Sequence, residues 1–416
     1  MSRFLFVVPP LAGHVNPASA VAAALAARGH EVAWAGHPAV LRGLVAADSP
    51  VFPCAGPPGI DDRPPDLRGV AALKFLWDDF FAPLAYAMAP GVTTAVMEFG
   101  PDLLVVDQQA VAGALVAERL GVPYVTSSTT SAELSGSLIG IPKVDQWLTD
   151  LLDGLRQRLG DPSARHDPRF SPRLTLVFST GELTGPSARE RGPVRFVGPA
   201  LGSRGDIADF PWEWVDRDDR RALVLVSLGT VNTTVGARFL THCVDAVRAR
   251  SRALRVVVAD PGGLLGPPRG DDDVLIRPAL PQLDLLARAD AVVCHAGHNT
   301  VTEALWHGVP LVVAPIRDDQ PVVAAQVTAA GAGVRVRFGR ADARAVGAAL
   351  DTVLGQPHYA AAACRISHSF RAAGGAPTAA AHLEEVVAAA EAAEAAEAAM
   401  TEKVEEQENP WHGLQI

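Results

Sequence analysis

A chain of 416 residues can build two hydrophobic cores of ordinary size, so two or three domains are expected. With 49% apolar and 20% charged residues it has globular composition, and a formal net charge of −10 argues against a polyanion-binding surface, so no nucleic-acid partner is expected. Cys54, Cys243, Cys294 and Cys364 are far apart without a C-x-x-C pair, which fits buried, reduced thiols better than a disulfide framework. The opening RFLFVV run is broken by Pro9-Pro10 and His14 and reads as a first strand rather than a signal peptide. No apolar run is expected to span a bilayer, so a cytoplasmic protein without integral membrane association is expected.

In chain order, residues 3–8 form a near-continuous apolar strand of the kind buried in a parallel sheet. After the loop PPLAGHV, Asn16-Pro17 reads as a helix cap followed by a first-turn proline. The Ala-rich helix then runs to Arg28, with Gly29 as its stop, and Glu31 to Ala35 form the next strand. This is a βαβ opening, right-handed by default, without the G-x-G-x-x-G of dinucleotide binders. Residues 50–70 read as loop and 70–99 as an aromatic-rich helical stretch. Strands follow at 102–106, ending at Asp107, at 123–126 before the Ser/Thr-rich 127–131, and at 174–178 and 194–199, with helices at 110–120 and around 144–158. The first domain is thus 1–200, and 201–218, mixing Gly, Pro and acidic residues, is the linker. Alternation resumes over 219–375, with strands at 222–227, 254–259 and 273–276 and a helix at 237–250. A helix at 376–399 and a disordered tail at 400–416 complete the expected order.

The most informative stretch is Pro281 to Gln320. It reads as helix, buried strand (290–294), tight turn, helix (about 298–307), strand (309–313) and a polar loop ending Asp318-Asp319-Gln320. Ligands of open α/β sheets sit beyond the carboxyl ends of strands, which is where His295 falls. Gly297 permits close approach, and the free N–H groups of the following helix start offer a seat for a diphosphate. Glu303, one turn on, can accept hydrogen bonds from sugar hydroxyls.

His295, Gly297, Asn299, Thr300, Glu303, Asp319-Gln320 and the preceding Pro281-Gln282 together resemble the donor-binding signature of the nucleotide-sugar-dependent glycosyltransferases. These are the two-Rossmann-domain enzymes of the UDP-glycosyltransferase superfamily, among them plant flavonoid and bacterial antibiotic, macrolide and polyketide glycosyltransferases. The amino-terminal strand, the histidine before N-P, and Arg28-Gly29-His30-Glu31-Val32 resemble the same family, as does the Val-Gly-Pro strand near 197–199. The resemblance covers roughly residues 3–375. It implies an α/β fold of two Rossmann-like domains facing across a cleft (GT-B architecture), with a late helix crossing back to the first domain. It further implies that His295 and the Asn299/Thr300 backbone hold the diphosphate, Glu303 the ribose, and Asp319 and Gln320 the sugar hydroxyls. Leu280, Gln282 and His298 complete the donor set, and Gly229-Thr230 resemble a second phosphate-facing loop. Ala279 departs from the family, which often has a base-stacking tryptophan there, and this leaves the base open.

His14 follows the first strand and Asp107 ends a later one, so both fall at carboxyl ends of one sheet. A carboxylate on one imidazole nitrogen fixes the tautomer and supports proton removal by the other. Read alone, His14 is more simply a loop histidine bonding locally and Asp107 a strand-end turn residue; the family's histidine–aspartate arrangement implies catalysis. Phe75, Trp77, Phe80 and Phe81 read either as the core of a helical excursion or as a wall of an apolar acceptor pocket. The expected activity is inverting, metal-independent transfer of a sugar from a nucleotide sugar, dTDP-deoxysugar first and UDP-sugar second, to a hydroxyl of a small apolar natural product. The donor is a co-substrate, no cofactor is expected, and a homodimer is the candidate assembly. A nucleotide-sugar epimerase of the same architecture and a non-catalytic helper protein are the alternatives.

Overall fold

The computed structural model describes residues 1–56, 64, 67, 69–135, 141–186, 192–202, 207, 209–229 and 235–408. Two seven-stranded sheets organise it. The first comprises β1 (Arg3–Val7), β2 (Glu31–Gly36), β3 (Val51–Pro53), β4 (Leu103–Asp107), β5 (Tyr124–Ser128), β6 (Thr175–Val177) and β7 (Val194–Phe196), in spatial order β3-β2-β1-β4-β5-β6-β7, parallel throughout. The second comprises β8 (Ala222–Ser227), β9 (Leu254–Ala259), β10 (Arg269–Gly270), β11 (Val274–Arg277), β12 (Ala291–Cys294), β13 (Leu311–Val313) and β14 (Gly333–Arg335). Its order is β10-β11-β9-β8-β12-β13-β14, and only β10 runs antiparallel to its neighbour. The apolar runs predict this, because a strand covered by helices on both faces has no solvent side to keep polar.

Each sheet reverses its winding direction between two central strands, β1 and β4 in the first and β8 and β12 in the second. The crossovers leave those strands on opposite faces, which opens a crevice at their carboxyl ends. His14 and Asp107 flank one crevice, and Gly229 and His295 flank the other.

The helix Pro357–Ala373 packs Ile366 and Phe370 into the second domain's core. The chain then turns at Gly374 (φ 87°), and the helix Gly375–Glu408 sends Ala376, Ala379, Ala380, Leu383 and Val387 into the core of the first sheet. Its Glu384 takes hydrogen bonds from Arg28 and His30 at 2.7 and 2.9 Å. This is the crossing-back helix.

Three expectations are corrected. The first helix begins at Ala12 rather than at the Asn16-Pro17 pair, so His14 lies in its first turn and Pro17 inside it. The stretch Gly69–Phe99 is long and apolar enough to cross a bilayer by length and composition, contrary to the expectation that no such run exists. Here more than half of its apolar window lies buried inside the protein. Its middle turn, Leu76–Phe81, is π-helical. That wider turn directs Leu76, Trp77, Phe80 and Phe81 inward together, with Trp77–Phe81 and Phe80–Phe81 ring centroids both 5.2 Å apart. Of the cysteines, all four are free thiols, and Cys364 is exposed rather than buried.

Candidate active site at the domain cleft

His14 donates from Nδ1 to Asp107, 2.9 Å from Oδ2 and 3.1 Å from Oδ1. The Asp107 carboxylate is buried and also receives the Gln109 N–H on Oδ1 at 2.9 Å. Parallel pairing of β1 with β4 sets Val7 beside Val106, so the residues that follow each strand meet without any long-range search. Burial by itself would depress the His14 pKa; the charge and hydrogen bond of Asp107, helped by the charge of Asp319, outweigh it and hold the imidazole above its ordinary value. His14 side-chain exposure is 17%, so the ring is sheltered yet reachable.

Across the cleft, β12 ends at Cys294, and Ala296 takes a left-handed φ of 65° to turn directly into the helix His298–Trp306. Such a conformation costs a non-glycine residue about 1–2 kcal/mol and persists where its surroundings enforce it. His295 is clamped between two glycines. A Cβ on Gly229 (φ 76°) would lie 2.7 Å from its Cε1, and one on Gly297 would collide with its Nε2. The ring is buried, its Nδ1 has no hydrogen-bond partner, and burial lowers its pKa to about 4 against a weak opposing pull from the Ser227 main chain. His295 is therefore neutral at pH 7, able to donate or accept but carrying no charge.

The remaining donor candidates gather around this turn. Gln282 donates from Nε2 to Glu303 Oε2 at 2.6 Å, joining the two residues. Thr300 is buried in the first turn of the helix, and Leu280 packs at the edge of the core beneath. Gln320 accepts the Ile316 and Arg317 N–H groups at 2.9 and 3.1 Å, so its carbonyl end shapes its own loop. Asp319 is half-buried, the desolvation of its carboxyl at the cleft pushes its pKa up to about 6, and it accepts the Thr130 hydroxyl at 2.7 Å. Thr230 lies outside the described residues.

The two halves touch here through polar contacts. Pro17 has no N–H, so the helix leaves the Gly13 carbonyl without its usual donor. Asn299 Nδ2, from the other domain, donates to that carbonyl at 2.6 Å. Ser131 donates to Gln326 Oε1 at 2.8 Å. His298 Nε2 approaches the Phe178 carbonyl at 3.4 Å and, buried, has its pKa pushed down to about 4; it faces the first domain.

The acceptor-wall reading of the aromatic helix is corrected. Trp77, Phe80 and Phe81 are 1%, 2% and 3% exposed, within the first domain's core, and Phe75 is only half-buried. Full burial of each such ring stabilises by roughly 2–3 kcal/mol, and a ring committed to the core offers no face to a ligand. Thr129 and Thr130 belong to no motif in the sequence, although two hydroxyls just beyond the end of β5 sit where ligands of open sheets are handled.

The family model for UDP-glucoronosyl and UDP-glucosyl transferase matches residues 198–377, the half that carries the clamped histidine. The 4'-demethylrebeccamycin synthase of Lentzea aerocolonigenes is 29% identical, over 89% of this chain and 96% of that one. The demethyllactenocin mycarosyltransferase of Streptomyces fradiae is 28% identical, over 94% and 87%. The crystal structure of the glycotransferase of kitacinnamycin superposes with a TM-score of 0.76 at 25% identity, covering 92% of this chain and 99% of that one. The second half of the chain thus matches the UDP-glycosyltransferase family, and over about nine-tenths of its length the chain is similar to named glycosyltransferases. It is a glycosyltransferase of the antibiotic-biosynthesis type with the GT-B fold, and the cleft just described divides its two domains.

Proposed function

We propose that this glycosyltransferase moves a sugar, with inversion, from a nucleoside diphosphate to a hydroxyl of a small apolar natural product. The observation that carries the reading is the His14–Asp107 pair at 2.9 Å, sited at one sheet's crevice and facing the His295–Glu303–Asp319 group of the other. With Nδ1 bonded to Asp107, the neutral ring keeps its lone pair on Nε2. That nitrogen takes the acceptor's hydroxyl proton while the oxygen bonds to the anomeric carbon. The bond from that carbon to the phosphate oxygen breaks, its electron pair leaves with the diphosphate, and configuration inverts. Asp107 stabilises the imidazolium so formed.

The leaving diphosphate is received by main-chain N–H groups at the start of the helix His298–Trp306 and by His295, which supports a reaction that needs no metal and no cofactor. Glu303, oriented by Gln282, takes the ribose hydroxyls, and Asp319 takes a sugar hydroxyl in place of Thr130. Kinship with antibiotic-tailoring enzymes supports a dTDP-deoxysugar ahead of a UDP-sugar. Thermal unfolding in the presence of TDP, UDP, GDP or ADP tests the donor site. A nucleotide at a hundred times its Kd adds roughly 2.7 kcal/mol of stability. Selective stabilisation by TDP is expected; no response to any of the four at saturation refutes the site.

A further inference from the structure

We propose that Thr129 is a positioning residue for the base pair, holding the Asp107 carboxylate against His14 Nδ1 and adding a further acceptor there; this rests on the reading of His14 as the base. Thr129 Oγ1 donates to Asp107 Oδ2 at 3.0 Å and lies 2.7 Å from His14 Nδ1. A hydroxyl has a single proton. Once that proton is given to the carboxylate, the oxygen presents only lone pairs to His14. Nδ1 then faces acceptors on every side, two carboxylate oxygens and one hydroxyl oxygen, and must itself be the donor. The lone pair of the neutral ring is left on Nε2.

Thr129 also completes the locking of the carboxylate. The Gln109 N–H holds Oδ1 and the Thr129 hydroxyl holds Oδ2, so both oxygens are pinned from outside the imidazole. All of these groups are sheltered: Asp107 is 1% and Thr129 5% exposed. Little water is available to substitute for a lost hydroxyl. The same loop carries the contact to the other domain, because the next residue, Thr130, donates to Asp319. Charged and polar groups facing the imidazole are thus Asp107 and Thr129 from its own domain, with Asp319 and His298 across the cleft.

The test is the titration of His14 in the full chain with 15N-labelled histidine, its signals assigned by their loss in His14→Ala. Wild type is expected to show a neutral ring protonated at Nδ1. Thr129→Val is expected to keep that tautomer, which Asp107 enforces, and to give a His14 pKa lower by about half a unit or more, since the imidazolium loses an acceptor. Thr129→Ser should restore the pKa, and Thr129→Ala should behave as valine does while avoiding a misfitting buried methyl group. A His14 pKa unchanged in both the valine and alanine variants overturns the proposal. So does a serine variant that behaves like valine. Turnover by His14→Ala is a separate outcome: it sinks the base reading and leaves the titration result standing.

Discussion

The two domains share one architecture, a mostly parallel seven-stranded sheet with a crevice between its central strands, yet they equip that crevice differently. The first relies on side chains: an imidazole, a buried carboxylate and a hydroxyl, linked at 2.7 to 3.1 Å. The second relies on main chain: a strained turn at Ala296, a helix start, and a histidine held between two glycines. Both settings are sheltered, but a nearby carboxylate raises the pKa of His14 while burial, only weakly opposed by the Ser227 main chain, lowers that of His295. A site that moves a proton needs a titrating group with a charged partner. One that holds an anion is better served by fixed dipoles that need no proton.

The sharpest way to break this contrast is His14→Ala. Turnover is expected to fall by about 10³-fold or more, measured as nucleotide released, while the thermal shift given by nucleotide stays within error. If nucleotide binding falls with it, the halves do not divide labour as described.

The contrast in pKa predicts how stability depends on pH. His295 and His298 titrate at about 4 when folded against 6.5 when unfolded, so their contribution is complete above 6.5 and is lost as pH falls toward 4. Each loss amounts to about 3 kcal/mol at most. Asp319 works the other way: raised from 3.8 to about 6, it contributes fully below 3.8 and loses that contribution as pH rises through 6. Acidification thus restores roughly 3 kcal/mol and leaves a net loss of about the same size, measurable by urea unfolding at pH 7 and 4.5. His14, raised above 6.5, contributes fully below 6.5 and loses that contribution as pH rises beyond it, and the acid limb of kcat/KM should lie above 6.5. A flat stability profile refutes the account of buried neutral histidines.

Gly297→Ala is expected to displace His295, lower stability by about 1–3 kcal/mol and remove the nucleotide-dependent rise in Tm. A fully retained nucleotide response would show that the glycine clamp is dispensable. The smallest effect concerns the contact between the halves. Asn299→Ala should cost about 1 kcal/mol, and Pro17→Ala, which returns a helical N–H to the Gly13 carbonyl, should make that loss smaller in the double variant. Additive unfolding energies across this double-mutant cycle refute the link between Pro17 and Asn299.

Much of this was legible in the sequence because it is local. Apolar runs of strand length determined the buried parallel strands, with β8 and β9 read to their end residues, and the spacing from His295 to Gln320 marked the second crevice. Short-range signals failed where tertiary contacts compensate. Asn16-Pro17 looks like a helix start, yet the helix runs through Pro17 because a residue 286 positions away satisfies the freed carbonyl. Phe75 to Phe81 look like a binding wall, but a π-helical turn commits three of the four rings to the core. Nor does anything near Thr129 announce its partners, which lie 22 and 115 residues away. The sequence by itself determined the strands, the order of the crossovers and the residue types at each crevice, since hydrophobic period and turn chemistry act within a few residues. Only the tertiary structure decided which hydroxyl meets which carboxylate and which face of the aromatic helix is buried, because those outcomes depend on sheet order and domain docking, which bring together groups that the chain keeps far apart.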